Sequence, residues 1–152
     1  KSNIERMAER IPESEYQNLH HFISHSEWDG LGVMGEVARQ TTASLDLLPA
    51  SPRGLLLDES GWEKSGNKSV GVSRQYIGNV GKVCNAQVGV FAALSQGEYV
   101  GLVNSRLFLP REWSLDNDRC QEAGVPQAAR AYRTKPELAV EMLLASGYKL
   151  RH

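Results

Sequence analysis

Two prolines within four residues, in Leu48-Pro49-Ala50-Ser51-Pro52-Arg53, separate two hydrophobic periods that cannot share one element. A residue ahead of proline is pushed out of the helical region, so this stretch ends any helix and favours an extended connector. Upstream, apolar residues recur at intervals of three and four. Ser2-Asn3-Ile4-Glu5 has the spacing of a capping box, and Ile4, Met7, Ala8 and Ile11 form a stripe that Pro12 stops. A second helix is expected from about Glu13 to Ser24, with Tyr16, Leu19, Phe22 and Ile23 on one face. Val33, Met34, Val37, Ala38, Thr41 and Leu45 give a third. Residues 1–50 therefore read as a helical segment.

Downstream the residue types change. Leu55 to Asp58, Ser69 to Ile77, Cys84 to Leu94 and Tyr99 to Leu109 are rich in Val, Leu, Phe and Tyr, and Ser95-Gln96-Gly97-Glu98 is a natural turn. These runs predict an antiparallel meander closed by Pro110. Residues 111–133 are polar and read mostly as loop, anchored by Glu112-Trp113 and Val125-Pro126. A last helix is expected from about Thr134 to Ala145: Thr134 can cap it, Pro136 suits its first turn, Leu138, Met142 and Leu143 supply an apolar face, and Gly147 ends it.

Within this plan one acid stands out. The apolar run Leu55-Leu56-Leu57 leads straight into Asp58, which places a carboxylate at the mouth of a buried strand, and a glycine-rich basic stretch follows. Carboxylate oxygens are the donors that hard divalent cations prefer, although one acid is not a metal site and a turn or cap role is the simpler alternative. Glu59 points to the opposite face if the strand persists. Lys64, Lys68, Arg74 and Lys82 cluster after Asp58; they suit contact with phosphates, or else form a solvated hairpin face. Trp62 is close enough to Asp58 to be a candidate for stacking on an unpaired base. Gly61, Gly66, Gly71 and Gly78 match neither the P-loop nor the dinucleotide fingerprint and are better explained by turns. His21 and His25 share a helical face without a third ligand.

Composition removes other classes. A chain of 152 residues that is 41% hydrophobic suits one core, and a net charge of -1 leaves any phosphate-binding role to a local basic face. Cys84 and Cys120 are far apart and form no zinc or disulfide framework, which fits a reducing cytoplasm. No apolar run approaches the roughly 18 residues of a membrane span, so no membrane partner is expected.

Several separated motifs together resemble the front half of bacterial insertion-sequence transposases of the DDE class. They are Asp58-Glu59-Ser60-Gly61-Trp62 with Lys64, Gly66, Ser69-Val70-Gly71-Val72 and Arg74-Gln75-Tyr76; then Gly81-Lys82-Val83, Asn85 and Gln87-Val88. Leu109-Pro110, Glu112-Trp113, Ala123-Gly124-Val125-Pro126 and Arg133-Thr134-Lys135 with Glu137-Leu138-Ala139 follow in order, and Lys1 to Ala8 is similar to the segment upstream. The resemblance implies an α/β fold: an N-terminal helical segment, then a partial RNase H-like catalytic domain over residues 54–152, built of three antiparallel strands plus a helix. It implies a DNA transposase whose Asp, Asp and Glu hold two Mg²⁺ or Mn²⁺ ions for strand cleavage and transfer, with Asp58 as the first catalytic acid and metal ligand, and transposon-end DNA as partner.

The resemblance stops short of the second Asp, expected on a strand after the last helix and approached by Tyr148 to His152, and of the later Glu. The chain alone is therefore expected to bind the ion weakly and to cleave poorly. The alternative is a non-catalytic remnant that binds DNA or another protein. A sheet cut after its first strands exposes an edge, and such edges pair with other chains, so a homo-oligomer or a full-length transposase is the expected partner there. The expected location is the bacterial cytoplasm, at the nucleoid.

Overall fold

The computed structural model describes residues 4–146 and orders them as three helices, four strands and three further helices. The helices are α1 (Ile4–Ala8), α2 (Tyr16–Ser24), α3 (Gly30–Asp46), α4 (Arg111–Ser114), α5 (Asn117–Glu122) and α6 (Lys135–Ser146); the strands are β1 (Arg53–Glu63), β2 (Ser73–Ile77), β3 (Lys82–Gln96) and β4 (Tyr99–Leu107). The contacts group into two compact units, one up to Val33 and one from Met34 onward.

In the first unit α1 and α2 bury no residue completely. Helix α1 ends at Ala8, short of Ile11, because Ser14 Oγ donates to the carbonyls of Ala8 and Ile11 and turns the chain there. The capping box expected at Ser2 and the stop at Gly147 lie outside the described residues. Past α2, Trp28 Nε1 donates to Phe22 O at 2.9 Å and the two rings pack 4.3 Å apart.

The second unit is a fully antiparallel sheet with helices on one face. Strand β3 is its axis. It pairs with β1 over its whole C-terminal part, from Glu63↔Ala86 to Arg53↔Gln96, and on its other side with β2 and then β4. The meander expected from the sequence is thus corrected: β2, β3 and β4 follow one another, but β1 pairs with β3 and leaves β2 across the sheet. The second run begins at Ser73 and not Ser69, since residues 69–72 turn, with Val72 N–H donating to Ser69 O. Gly71 sits there at φ +75°, and a Cβ would come within 2.8 Å of Phe108 O, so the sharp approach of this turn to the end of β4 requires glycine.

Alternation along β3, interrupted by the buried Gly89, decides which face is filled. Ala86, Val88, Val90, Ala92 and Leu94 are all buried, and Val90, Ala92 and Leu94 pack with Val103, Leu45 of α3 and Leu138 and Met142 of α6. Arg53 ties α3 to this sheet. Its side chain is buried and donates twice to Gln96 Oε1, at 2.9 and 2.6 Å, and once to Asp46 Oδ1 at 3.1 Å. A buried guanidinium is tolerable only with such partners.

The polar stretch after Pro110 is not mostly loop. Asp116 Oδ1 accepts from Arg119 N at 2.9 Å and caps α5, while Trp113, Cys120, Leu109 and Val125 form a second small core. Short helices buried through one or two large side chains carry too little periodicity to be read from sequence. Helix α6 starts with the expected cap: Thr134 N–H donates to Glu137 Oε2 at 2.7 Å and Glu137 N–H to Thr134 Oγ1 at 3.3 Å, both arms of a capping box. The arrangement is a partial RNase H-like α/β fold. Among the described residues β1 pairs only with β3 and is an edge strand, and no helix is long and apolar enough to cross a membrane.

Candidate metal and nucleic-acid site

Asp58 lies in the middle of β1, not at its mouth. The strand runs on to Glu63 because each of Asp58 to Glu63 has a partner on β3, and cross-strand pairing overrides the weak strand preference of Asp, Glu, Ser and Gly. Nor is β1 buried: only Arg53 and Gly61 of its residues are fully covered. Asp58 pairs with Phe91 and is exposed, on the face of the sheet opposite the helices. Its Oδ1 accepts the backbone N–H of Glu59 at 2.8 Å, and among the described residues Oδ2 has no protein partner. An outward-facing carboxylate with one open oxygen can take a cation without breaking an internal bond.

Glu59 turns the other way, as strand alternation requires, and meets α6. Lys135 Nζ lies 2.8 Å from Glu59 Oε2 and 5.5 Å above the Phe108 ring. Two cavities flank the acid. One of about 490 Å³ is lined by Asp58, Glu59, Ser60 and Gly61, by Tyr76 of β2 and by Asn79 of the β2–β3 turn. Another, of about 300 Å³, runs from Leu57 and Asp58 to Lys135, Pro136 and Ala139. Asp58 therefore stands between the free face of the sheet and the start of α6.

Trp62, four residues on, shares the face of Asp58. It is half exposed and meets the Phe91 ring edge-on, with centroids 5.8 Å apart and planes at 77°. Asp58, Phe91 and Trp62 thus form one short row, an acid beside an open aromatic surface.

The basic residues do not converge on one point. Lys82 Nζ is 2.8 Å from Glu63 Oε1, and this pairing holds the Glu63 carboxyl below its ordinary range, aided by the Cys84 thiol. Burial, and then Glu63 as hydrogen-bond partner, push the Cys84 thiol up, so Cys84 is a protonated packing residue. Arg74 is exposed on β2 opposite Asn85. Lys64 is half buried, and its backbone is fixed by donation to Asn85 O at 2.9 Å. Lys68 opens onto a separate cavity with Arg119 and Trp113. Neither Arg119 nor the Glu59–Lys135 pair was singled out from the sequence; each depends on a contact between segments more than fifty residues apart.

As a metal centre the donor set is incomplete. Among the described residues no three His, Cys, Asp or Glu side chains gather at one point. Asp58 is a suitable hard donor for a divalent ion, and such ions do bind through one or two carboxylates plus phosphate and water, but the described residues do not by themselves build a two-ion site. His21 of α2 and His25, its C-cap, stack 5.3 Å apart, and among the described residues no third ligand completes a set.

Comparison with known proteins adds descent to this geometry. A family model described as DDE superfamily endonuclease matches residues 1–149. A probable transposase for insertion sequence element IS701, from Microchaete diplosiphon, is 33% identical over 156 aligned positions, which take in 98% of this chain and 36% of that protein. The chain thus spans about a third of the length of that relative. No solved structure matches.

Proposed function

The chain belongs to the DDE superfamily endonuclease family, and we propose that within it this polypeptide supplies the first catalytic acid of an insertion-sequence transposase, a metal-dependent DNA strand-cleaving and strand-transferring enzyme. The observation that carries the reading is Asp58. Both acids of the motif Asp58-Glu59-Ser60-Gly61-Trp62 line the two flanking cavities, but only the Asp58 carboxylate keeps an open oxygen, while Glu59 is held by Lys135.

In this reading Asp58 is the protein ligand for Mg²⁺ or Mn²⁺, and two further acids outside the described residues complete the set. A divalent ion so held polarises a phosphodiester and makes water or a 3′-hydroxyl a competent nucleophile. The rest falls to the protein. Lys64, Lys68, Arg74 and Lys82 attract the backbone of a transposon end and set its register, and Trp62 offers a face to an unpaired base. Lys135 holds Glu59 away from Asp58. The open edge of β1 takes up a strand, from the remainder of a full-length transposase or from a second copy. The setting is the bacterial cytoplasm, at the nucleoid.

The test is paramagnetic. Sub-stoichiometric Mn²⁺ added to the ¹⁵N-labelled protein should broaden the amide signals of residues 57–60 and 90–92 first, and Asp58→Asn should abolish that broadening while leaving the spectrum folded. Broadening centred elsewhere, or unchanged in Asp58→Asn, would sink the assignment.

A further inference from the structure

Arg119 and Trp113 build a second site beyond the end of β1. The Arg119 guanidinium carbon lies 3.8 Å from the centroid of the Trp113 ring. That ring is fully buried, and its Nε1 donates to Val72 O at 2.8 Å, so it is a fixed platform. Arg119 Nη2 also donates to Asn67 O at 2.9 Å, in the loop that follows β1. A guanidinium stacked on a rigid ring and tethered to a carbonyl has lost most of its rotamer freedom before any ligand arrives.

The tethered group lines a cavity of about 400 Å³ together with Asn67, Lys68, Glu122 and Ala123. Lys82, Lys135, Arg39, Arg133 and Arg53 each have a carboxylate within 4 Å, whereas among the described residues Arg119 and Lys68 have none. Two cations with no ion-pair partner within 4 Å, one of them a preorganised planar fork, face one concavity, and that is an arrangement that takes a tetrahedral oxyanion. Glu122 lines the same cavity and offsets part of that charge, so the site favours one anion group over a dense cluster of them.

We propose that this pocket binds one backbone phosphate of the DNA substrate, with Arg119 and Lys68 as its donors and Trp113 as the platform that orients Arg119. The inference rests on the DNA reading above and adds to it Arg119, which gathers Lys68 of the basic hairpin into a defined pocket. Counted along β1, the strand ends at Glu63 roughly 17 Å from Asp58, at about 3.3 Å per residue, and the pocket's Asn67 and Lys68 lie in the loop beyond that end. That separation makes it an anchor for DNA flanking the scissile bond and not part of the reacting centre.

Two measurements on the same protein test it. Binding of a fluorescein-labelled duplex is followed by anisotropy over a salt series for the wild type, the double variant Lys68→Gln/Arg119→Gln, and Arg39→Gln as a paired-arginine control. The double variant should bind several-fold more weakly with a salt slope smaller by about one unit, the release expected for one phosphate contact, while Arg39→Gln follows the wild type. In parallel, the Trp113 Nε1 and Arg119 Nε resonances of the wild type should shift as duplex is added, a readout that holds even if the double variant is poorly folded. Duplex binding with both resonances unmoved, or with an unchanged slope in a folded double variant, overturns the pocket and leaves the DNA reading standing. No duplex binding by the wild type at low salt overturns both.

Discussion

Lys135 reaches back seventy-six residues to Glu59 and closes an ion pair at 2.8 Å, so the first turn of α6 is fastened to the strand position next to Asp58. The pair is half solvated, and exposed pairs contribute about 0–1 kcal/mol. Lys135→Met should therefore lower stability only slightly, by less than about 1 kcal/mol in urea unfolding. Its larger effect should be electrostatic. Removing a positive charge from the rim of the cavity that Asp58 lines and freeing Glu59 should tighten Mn²⁺ binding two- to fivefold, from about 0.5–1 kcal/mol of Coulomb energy in solvent. Titration calorimetry showing weaker binding would contradict this account of the pair.

Trp113 is the anchor of the smaller core. Trp113→Phe keeps an aromatic ring but loses the bond to Val72 O, whose residue is 1% exposed. An orphaned buried carbonyl costs about 1–3 kcal/mol, which should appear as a lower urea midpoint with an unchanged slope. A midpoint equal to that of the wild type would mean that water satisfies Val72 in the variant.

Gly71 carries both a left-handed φ and a close backbone approach to Phe108 O. Gly71→Ala should destabilise by more than the roughly 1–2 kcal/mol of the φ penalty alone, because the obstacle is main chain and cannot rotate away. Gly78→Ala, with nothing within 4 Å of the added Cβ and an ordinary φ, is the matched comparison and should be nearly neutral. Equal melting temperatures for the two variants would refute the steric argument.

These positions also show what sequence alone conveys. The helical face through Ala38 and Leu45, the alternation along β3 and the Thr134 cap were legible because each is a local period or a three-residue spacing. Asp58 was legible as a chemical group but not in its placement: whether a strand ends or continues at Asp-Glu-Ser-Gly depends on whether β3 lies beside it, and no local propensity says so. The pairing of β1 with β3, the Arg53–Gln96 knot and the tether of Arg119 to Asn67 O are decided by tertiary packing between distant segments. Short α4 and α5 were hidden for a related reason, since two helices of four and six residues hold together through Trp113 and Cys120 and not through their own propensity.

The cap of α6 makes a pH prediction whose sign is fixed. Glu137 accepts the Thr134 backbone N–H, then the Thr134 hydroxyl, and these bonds hold its carboxyl below the ordinary carboxylate range. A depressed folded pKa means that the cap contributes fully above the unfolded value and is lost as pH falls through the folded one. The N-terminus of α6 should therefore loosen below about pH 4.5, visible as faster amide exchange at residues 135–138 in acid than at neutral pH after correction for intrinsic rates. Glu137→Gln keeps an acceptor but cannot titrate, and it should flatten this dependence. Thr134→Ala removes the other arm of the box and should cost about 0.5–2 kcal/mol at neutral pH. Because α6 carries Lys135, its fraying in acid should also release Glu59. Near pH 4, an Mn²⁺ affinity that still differed between the wild type and Lys135→Met would show that the ion pair survives without the cap.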